Sequence, residues 1–215
     1  MTQKEFAHYC WQSKTYNKGA GDRYPAYYVS WYDTLVYCNL RSIAESLTPC
    51  YRIGESTNPA DWNGIVSSDG KYCGPSVDSD TWNAVTCDFN ANGYRLPTSA
   101  EWEYLARGGP AYENYIYAGS DDIDAVSWWR NNSADASGSN RSHEVMGKNP
   151  NSLGIYDMSG NEYEWCWDSY AAGERAERGG SWNTTAPYHA VLSVRGYNYF
   201  GKSFLLGFRL VRTAP

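Results

Sequence analysis

The residues best suited to covalent or redox chemistry are thiols and imidazoles, and this chain spaces them poorly for either. Its six cysteines, at positions 10, 38, 50, 73, 87 and 166, form no Cys-x-x-Cys pair, so neither a zinc ribbon nor a dithiol redox motif is indicated. In an exported protein Cys50, Cys73 and Cys87 are the natural partners for crosslinking, because they bracket a Gly, Ser, Asp and Asn-rich stretch that a disulfide would restrain. Cys10 and Cys38 read instead as buried thiols on helices. The three histidines, His8, His143 and His189, stand alone, and a lone imidazole is more often a satisfied structural residue than a ligand.

What the chain has in quantity is aromatic surface: 20 Tyr and 10 Trp against 5 Phe in 215 residues. Tyr and Trp join a broad apolar face to a polar handle, which suits turns, interfaces and binding surfaces better than a dry aliphatic core. With 18 basic against 24 acidic residues the net charge is −6, which argues against a binder that neutralises nucleic-acid phosphates. No apolar run approaches the roughly 20 residues of a membrane helix. Met1-Thr2-Gln3-Lys4-Glu5 lacks the apolar segment of a signal peptide, which leaves a cytoplasmic protein or one whose leader has been removed. The length favours one domain, residues 1–215.

Capping chemistry marks the elements that must position any site. Thr2 with Glu5, Ser30 with Asp33 and Thr98 with Glu101 each place a hydroxyl acceptor at N-cap and a carboxylate three residues on. After Ser30, apolar residues recur at three- and four-residue steps and predict a helix to about Ser46. After Thr98, Trp102, Leu105 and Ala106 precede Gly108-Gly109, a short helix with a glycine stop. Residues 52–86 show no sustained period and read as a long excursion between short strands at 51–53 and 84–87. The Asn, Ser and Gly-rich stretch 131–151 reads as a surface loop held by side-chain hydrogen bonds or a metal. Alternation from Phe204 to Val211 predicts one strand. The class is α+β, loop-rich, with two main helices.

Three islands carry a family resemblance: Arg95-Leu-Pro-Thr-Ser-Ala-Glu-Trp-Glu-Tyr-Leu-Ala-Arg-Gly-Gly109, Leu153-Gly-Ile-Tyr-Asp-Met-Ser-Gly-Asn-Glu-Tyr-Glu-Trp165, and Arg178-Gly-Gly-Ser-Trp182 followed by Gly207-Phe-Arg-Leu-Val211. With Val29-Ser-Trp-Tyr-Asp33, they resemble the formylglycine-generating-enzyme, or sulfatase-modifying-factor, domain over nearly the whole chain. The resemblance implies a variant C-type lectin fold with small antiparallel sheets. The family's enzymes oxidise a substrate cysteine with a cysteine pair located between the last two islands. Trp182 to Leu206 contains no cysteine, and no other residue type replaces a thiolate there, so that activity is not expected.

In place of the cysteines stand Asn183-Thr-Thr-Ala-Pro-Tyr-His189, Gly196-Tyr-Asn-Tyr-Phe-Gly201 and Ser203-Phe-Leu205, a mixture of aromatics, small residues and Asn that resembles a paratope. This segment is similar to the diversified region in variable proteins of diversity-generating retroelements, the treponemal type above all, where an error-prone reverse transcriptase mutates adenines. The resemblance implies that Thr184, Thr185, Pro187, Tyr188, His189, Val194, Gly196, Tyr197, Asn198, Tyr199, Gly201, Phe204 and Leu205 are diversified, with Asn183 and Asn198 as unmutated template residues. Tyr188, Tyr197, Tyr199 and Phe204 would supply contact area with few rotatable bonds.

The family also binds calcium at the second island, which on this sequence implies Asp157, the carbonyls of Gly160 and Glu162, and Glu164 as ligands, oxygen donors that suit a hard cation. The alternative is that Asp157 caps a turn and Glu164 pairs with an arginine such as Arg178. No cofactor is required, and any calcium would be structural. The expected function is a non-catalytic receptor for a protein or glycan surface, exported and displayed at the cell surface, with a lipidated leader outside this chain as its only membrane link. Two alternatives stand beside it: a cysteine oxidase built on another thiol such as Cys166, and a scaffold module of an envelope complex.

Overall fold

Three helices begin where a hydroxyl and a carboxylate three residues apart close on each other's backbone. The computed structural model describes residues 1–10 and 16–213. All three capping boxes form, opening α1 (Gln3–Tyr9), α2 (Trp31–Ala44) and, later in the chain, α4 (Ser99–Ala106). Single-turn helices α3 (Asp80–Asn83) and α5 (Ile123–Val126) complete the set. The strands are β1 (Tyr51–Arg52), β2 (Val66–Ser68), β3 (Lys71–Cys73), β4 (Thr86–Cys87), β5 (Tyr94–Arg95), β6 (Tyr163–Ala171), β7 (Glu174–Arg178), β8 (Val194–Asn198), β9 (Leu206–Phe208) and β10 (Val211–Arg212).

The main sheet has the order β8-β7-β6-β9, with β8, β7 and β6 antiparallel and β9 parallel to β6. The expected single C-terminal strand is therefore two. Leu206, Gly207 and Phe208 are all buried beside β6, and the chain then leaves to pair β10 with β5. The strands expected near residues 51 and 87 form the β1–β4 pair, and the 52–86 excursion folds into a hairpin and a helical turn.

The sheet separates two cores because strand side chains alternate between faces. Tyr163, Trp165, Leu206 and Phe208 pack with Trp31 and Leu35 of α2 on one side. Cys166 and Ala176 pack with Trp102 and Ala106 of α4 on the other. Tryptophan is usable in both because each ring N–H finds an acceptor: Trp31 donates to the Cys166 carbonyl at 3.0 Å, Trp165 to the Val29 carbonyl at 3.0 Å, and Trp102 to Glu164 at 2.7 Å. An unpaired indole N–H there would cost stability instead. In the 131–151 loop, side chains satisfy the backbone as expected: Asn151 accepts from Leu153 and Ile155, and Asn140 donates to the Arg130 carbonyl.

Candidate binding surface

Residues 182–205 are held by their main chain. Tyr199, Ser203, Phe204 and Leu205 each offer a carbonyl to the frame, accepting from Trp31 N at 2.9 Å, Tyr28 N at 2.9 Å, Trp182 Nε1 at 3.1 Å and Tyr163 N at 2.8 Å. Such bonds depend little on side-chain identity. Side chains add to them, above all Lys202, which reaches Asp33, at the start of α2, at 2.7 Å. The entry to the segment is equally fixed. Gly180 sits at φ +75°, where an added Cβ would lie 2.9 Å from the His189 ring, so glycine is needed for both conformation and space.

The structure sorts the predicted contact residues into two groups. Asn183, Thr185, Pro187, Tyr188, Val194 and Asn198 are exposed. Gly196, Gly201, Tyr197, Tyr199, Phe204 and Leu205 are half-buried: Tyr197 packs edge-on to Trp165, Tyr199 lies on Tyr32 with its hydroxyl between Asp78 and Asn83, and Phe204 lies on Tyr28. Of the four aromatics expected to make contacts, Tyr188 is the most open, at 41%.

His189 does not belong to the surface. It is 0% exposed, its Nδ1 is 2.9 Å from Ser127 Oγ and its Nε2 is 3.0 Å from Thr184 Oγ1. Burial holds its pKa down at about 4, so the ring is neutral at pH 7. Thr184 is likewise committed, accepting from Ser181 N at 2.8 Å and donating to the Ser181 carbonyl. The side chains of these two residues close the turn, His189 without exposed surface and Thr184 half-buried.

Two residues missed in the sequence belong with the exposed set. Leu192, 67% exposed, is the most open of the segment's large hydrophobic side chains. Arg195, with 45% of its side chain exposed, lies 5.3 Å from the centre of the Tyr188 ring. The alternation of Leu192 and Val194 was the available signal, but it cannot tell a covered face from an open one.

The four proposed calcium residues do converge, lining one cavity of about 410 Å³ together with Arg209. The two carboxylates among them, however, are already engaged, while the Gly160 and Glu162 carbonyls accept no hydrogen bond among the described residues. Glu164 receives Arg209 at 2.5 and 2.7 Å and Trp102 at 2.7 Å. Asp157 accepts from Met146 N at 2.8 Å, and its carbonyl accepts from Arg209 at 3.3 Å. A calcium ion would have to displace a guanidinium, so this donor set does not fit the ion as arranged. Arg178, the arginine named as an alternative partner for Glu164, instead pairs with Glu103 at 3.3 Å and caps the Val191 carbonyl.

Residues 2–214 match the family described as the sulfatase-modifying factor enzyme 1-like domain. The chain belongs to that family. This sulfatase-modifying factor-like domain is similar in structure to Treponema denticola variable protein 1, with a TM-score of 0.79 and 29% identity over 97% of this chain and 80% of that one. It is also similar to CarF, with a TM-score of 0.70 and 31% identity over 96% of this chain and 72% of that one. In sequence it is 39% identical to the chaperone protein LppX of Paenibacillus barcinonensis over 75% of this chain, and it spans about three fifths (60%) of that relative. It is 31% identical to the inactive C-alpha-formylglycine-generating enzyme 2 of Bos taurus over 49% of this chain and 38% of that protein.

All six cysteines of the domain are free thiols. The expected crosslinks among Cys50, Cys73 and Cys87 are not formed. Tyr51 pairs with Cys87, so Cys50 and Cys87 fall on opposite faces of the β1–β4 ladder. Cys166 is fully buried and burial pushes its thiol pKa well up, the opposite of what a nucleophilic thiolate needs.

Proposed function

We propose that this domain is a non-catalytic receptor whose ligand contacts the surface built from residues 183–205, that a retroelement diversifies this segment, and that the protein is displayed outside the cell. The observation that carries the reading is the division of labour within the segment. Its main chain is tied to α2, β6 and Trp182, while Asn183, Thr185, Pro187, Tyr188, Val194 and Asn198 project outward. Outward side chains on a fixed backbone can change type without unfolding the frame, which is what a diversified binding surface requires.

The similarities to a variable protein and to an inactive formylglycine-generating enzyme support the same reading. The cavity beside Asp157 and Glu164 is lined by none of residues 183–205. A ligand engaged through an open, Tyr-bearing surface is a macromolecule rather than a small substrate, which would need convergent polar groups in a deep pocket.

Sequencing the locus across a population tests the proposal, together with a search for a near-identical copy that differs at adenines. Substitutions should concentrate at the outward positions and spare Lys202. An even spread along the gene, or no copy and no substitutions, would return the domain to an undiversified binding or scaffold role.

A further inference from the structure

The exposed side chains of β8 do not share a face of the sheet. Arg195 and Tyr197 pair across the ladder with Glu177 and Arg175, and Val194 and Gly196 with Arg178 and Ala176, so Val194 and Arg195 point to opposite sides. Both are exposed. What they have in common is the open edge of the strand, since β8 ends the sheet.

The direction of the main-chain groups at that edge follows from the ladder. Tyr163 donates its N–H to the Leu205 carbonyl at 2.8 Å, so its main chain faces β9 and that of Glu164 faces β7. Alternation turns Arg178 toward β6 and Glu177 toward β8, where Glu177 meets Arg195. The N–H and C=O groups of Val194 and Gly196 consequently point away from the sheet, with no acceptor or donor among the described residues. Protected edges carry proline, several charges, above all lysine, or a bulge, and Arg195 is the one charge of β8. Here the pairing of β7 with β8 is unbroken over five residues, and the strand contains neither proline nor lysine.

The charge around this edge favours one occupant. Residues 183–205 contain Arg195 and Lys202 and no Asp or Glu, within a chain of net charge −6. Lys202 is neutralised by Asp33. Arg195 donates to the Tyr163 hydroxyl at 3.2 Å and lies 3.9 Å from Glu177, yet keeps 45% of its side chain exposed. A strand laid against β8 places one of its side chains directly opposite Arg195, where a carboxylate is favoured.

We propose that the ligand is a protein that docks by strand addition, an extended segment pairing with the outer edge of β8 through Val194 and Gly196 and presenting an Asp or Glu to Arg195. This deepens the receptor reading and rests on it. Main-chain bonds would supply affinity that survives diversification, and the side chains around the edge would supply selectivity.

The test uses the full chain, immobilised, and a phage-displayed library of linear peptides, with selected peptides then synthesised. The expected result is peptides with an acidic position, slowed amide exchange at Val194 and Gly196 in their complexes, and at least tenfold weaker binding to Arg195→Gln. Val194→Pro is expected to abolish binding with an unchanged melting temperature, because it removes an outward N–H at the first residue of the strand. Selected peptides that lose binding on Tyr188→Ala yet leave the Val194 and Gly196 amides unprotected would overturn strand addition and keep the receptor surface. So would a library that yields no peptide while immobilised glycans bind in a Tyr188-dependent way. Peptide or glycan binding indifferent to Tyr188, Val194 and Arg195 would overturn both readings. Dimerisation of the free chain through β8, seen as concentration-dependent sedimentation lost in Val194→Pro, would assign the edge to a second copy and overturn the proposal.

Discussion

Lys202 Nζ lies 2.7 Å from Asp33 Oδ2, with both side chains largely withdrawn from solvent, and this contact ties residues 183–205 to the first turn of α2. Asp33 also accepts from Ser30 N at 2.8 Å and from Gly74 N at 3.0 Å. Removing Lys202 leaves a buried carboxylate without its cation, so Lys202→Met is expected to lower the unfolding free energy by about 3 kcal/mol. Asp33→Ala should cost about 1 kcal/mol more, because the helix cap goes with the pair. Urea denaturation of the two variants measures both, and equal stability of Lys202→Met and the parent protein would show that the pair holds nothing.

The division between frame and surface predicts opposite outcomes for neighbouring residues. Thr185→Ala and Tyr188→Ala should change stability by no more than about 0.5 kcal/mol, as exposed positions usually do. His189→Ala should cost about 2 to 3 kcal/mol, since it opens a void below Gly180 and strips Ser127 and Thr184 of a partner. Comparable losses at Tyr188 and His189 would mean that the segment is one packed unit rather than side chains on a scaffold.

What could be read from the sequence was what is local. The three capping boxes link residues three apart, and each formed as spaced. Family islands delimited residues 183–205 because the flanks, Arg178 to Trp182 and Gly207 to Val211, are themselves framework. Burial within the segment was not legible, because it depends on distant partners: His189 is buried by Ser127, 62 residues away, and Lys202 by Asp33. Splitting the C-terminal alternation into β9 and β10 also escaped notice, since period-two patterning is the same whether one sheet or two receive the strand.

Two buried groups give the fold opposing pH dependences. Burial raises the Glu177 pKa from 4.5 to about 7, despite Arg195, so the folded state holds that proton more tightly. Its stabilising effect is complete below pH 4.5 and is lost as pH rises through 7. Burial lowers the His189 pKa from 6.5 to about 4, so its contribution is present above pH 6.5 and is lost as pH falls toward 4. Between about pH 4.5 and 6.5 the two slopes cancel. Glu177→Gln should therefore gain on the parent protein as pH rises from 4.5 to 7, by on the order of 3 kcal/mol in all. Urea midpoints taken from pH 4 to 8 read that difference directly, and a difference independent of pH would remove Glu177 as its source.

The saturated state of Glu164 makes the response to calcium a sharp measurement. Both its oxygens are within 2.7 Å of Arg209 nitrogens, and Oε2 also accepts from Trp102. Any ion gained at this carboxylate is set against a buried guanidinium set free. Melting temperatures in millimolar calcium and in chelator are expected to agree within about 1 °C, well below the shift that 1 kcal/mol of linked stabilisation gives a domain of this size. Glu164→Gln should lower stability under both conditions by about 3 kcal/mol, because Arg209 then lies buried beside a neutral amide. A calcium-dependent rise of several degrees, abolished in Glu164→Gln and Asp157→Asn, would show instead that the ion displaces Arg209 and that the family's metal site operates in this chain.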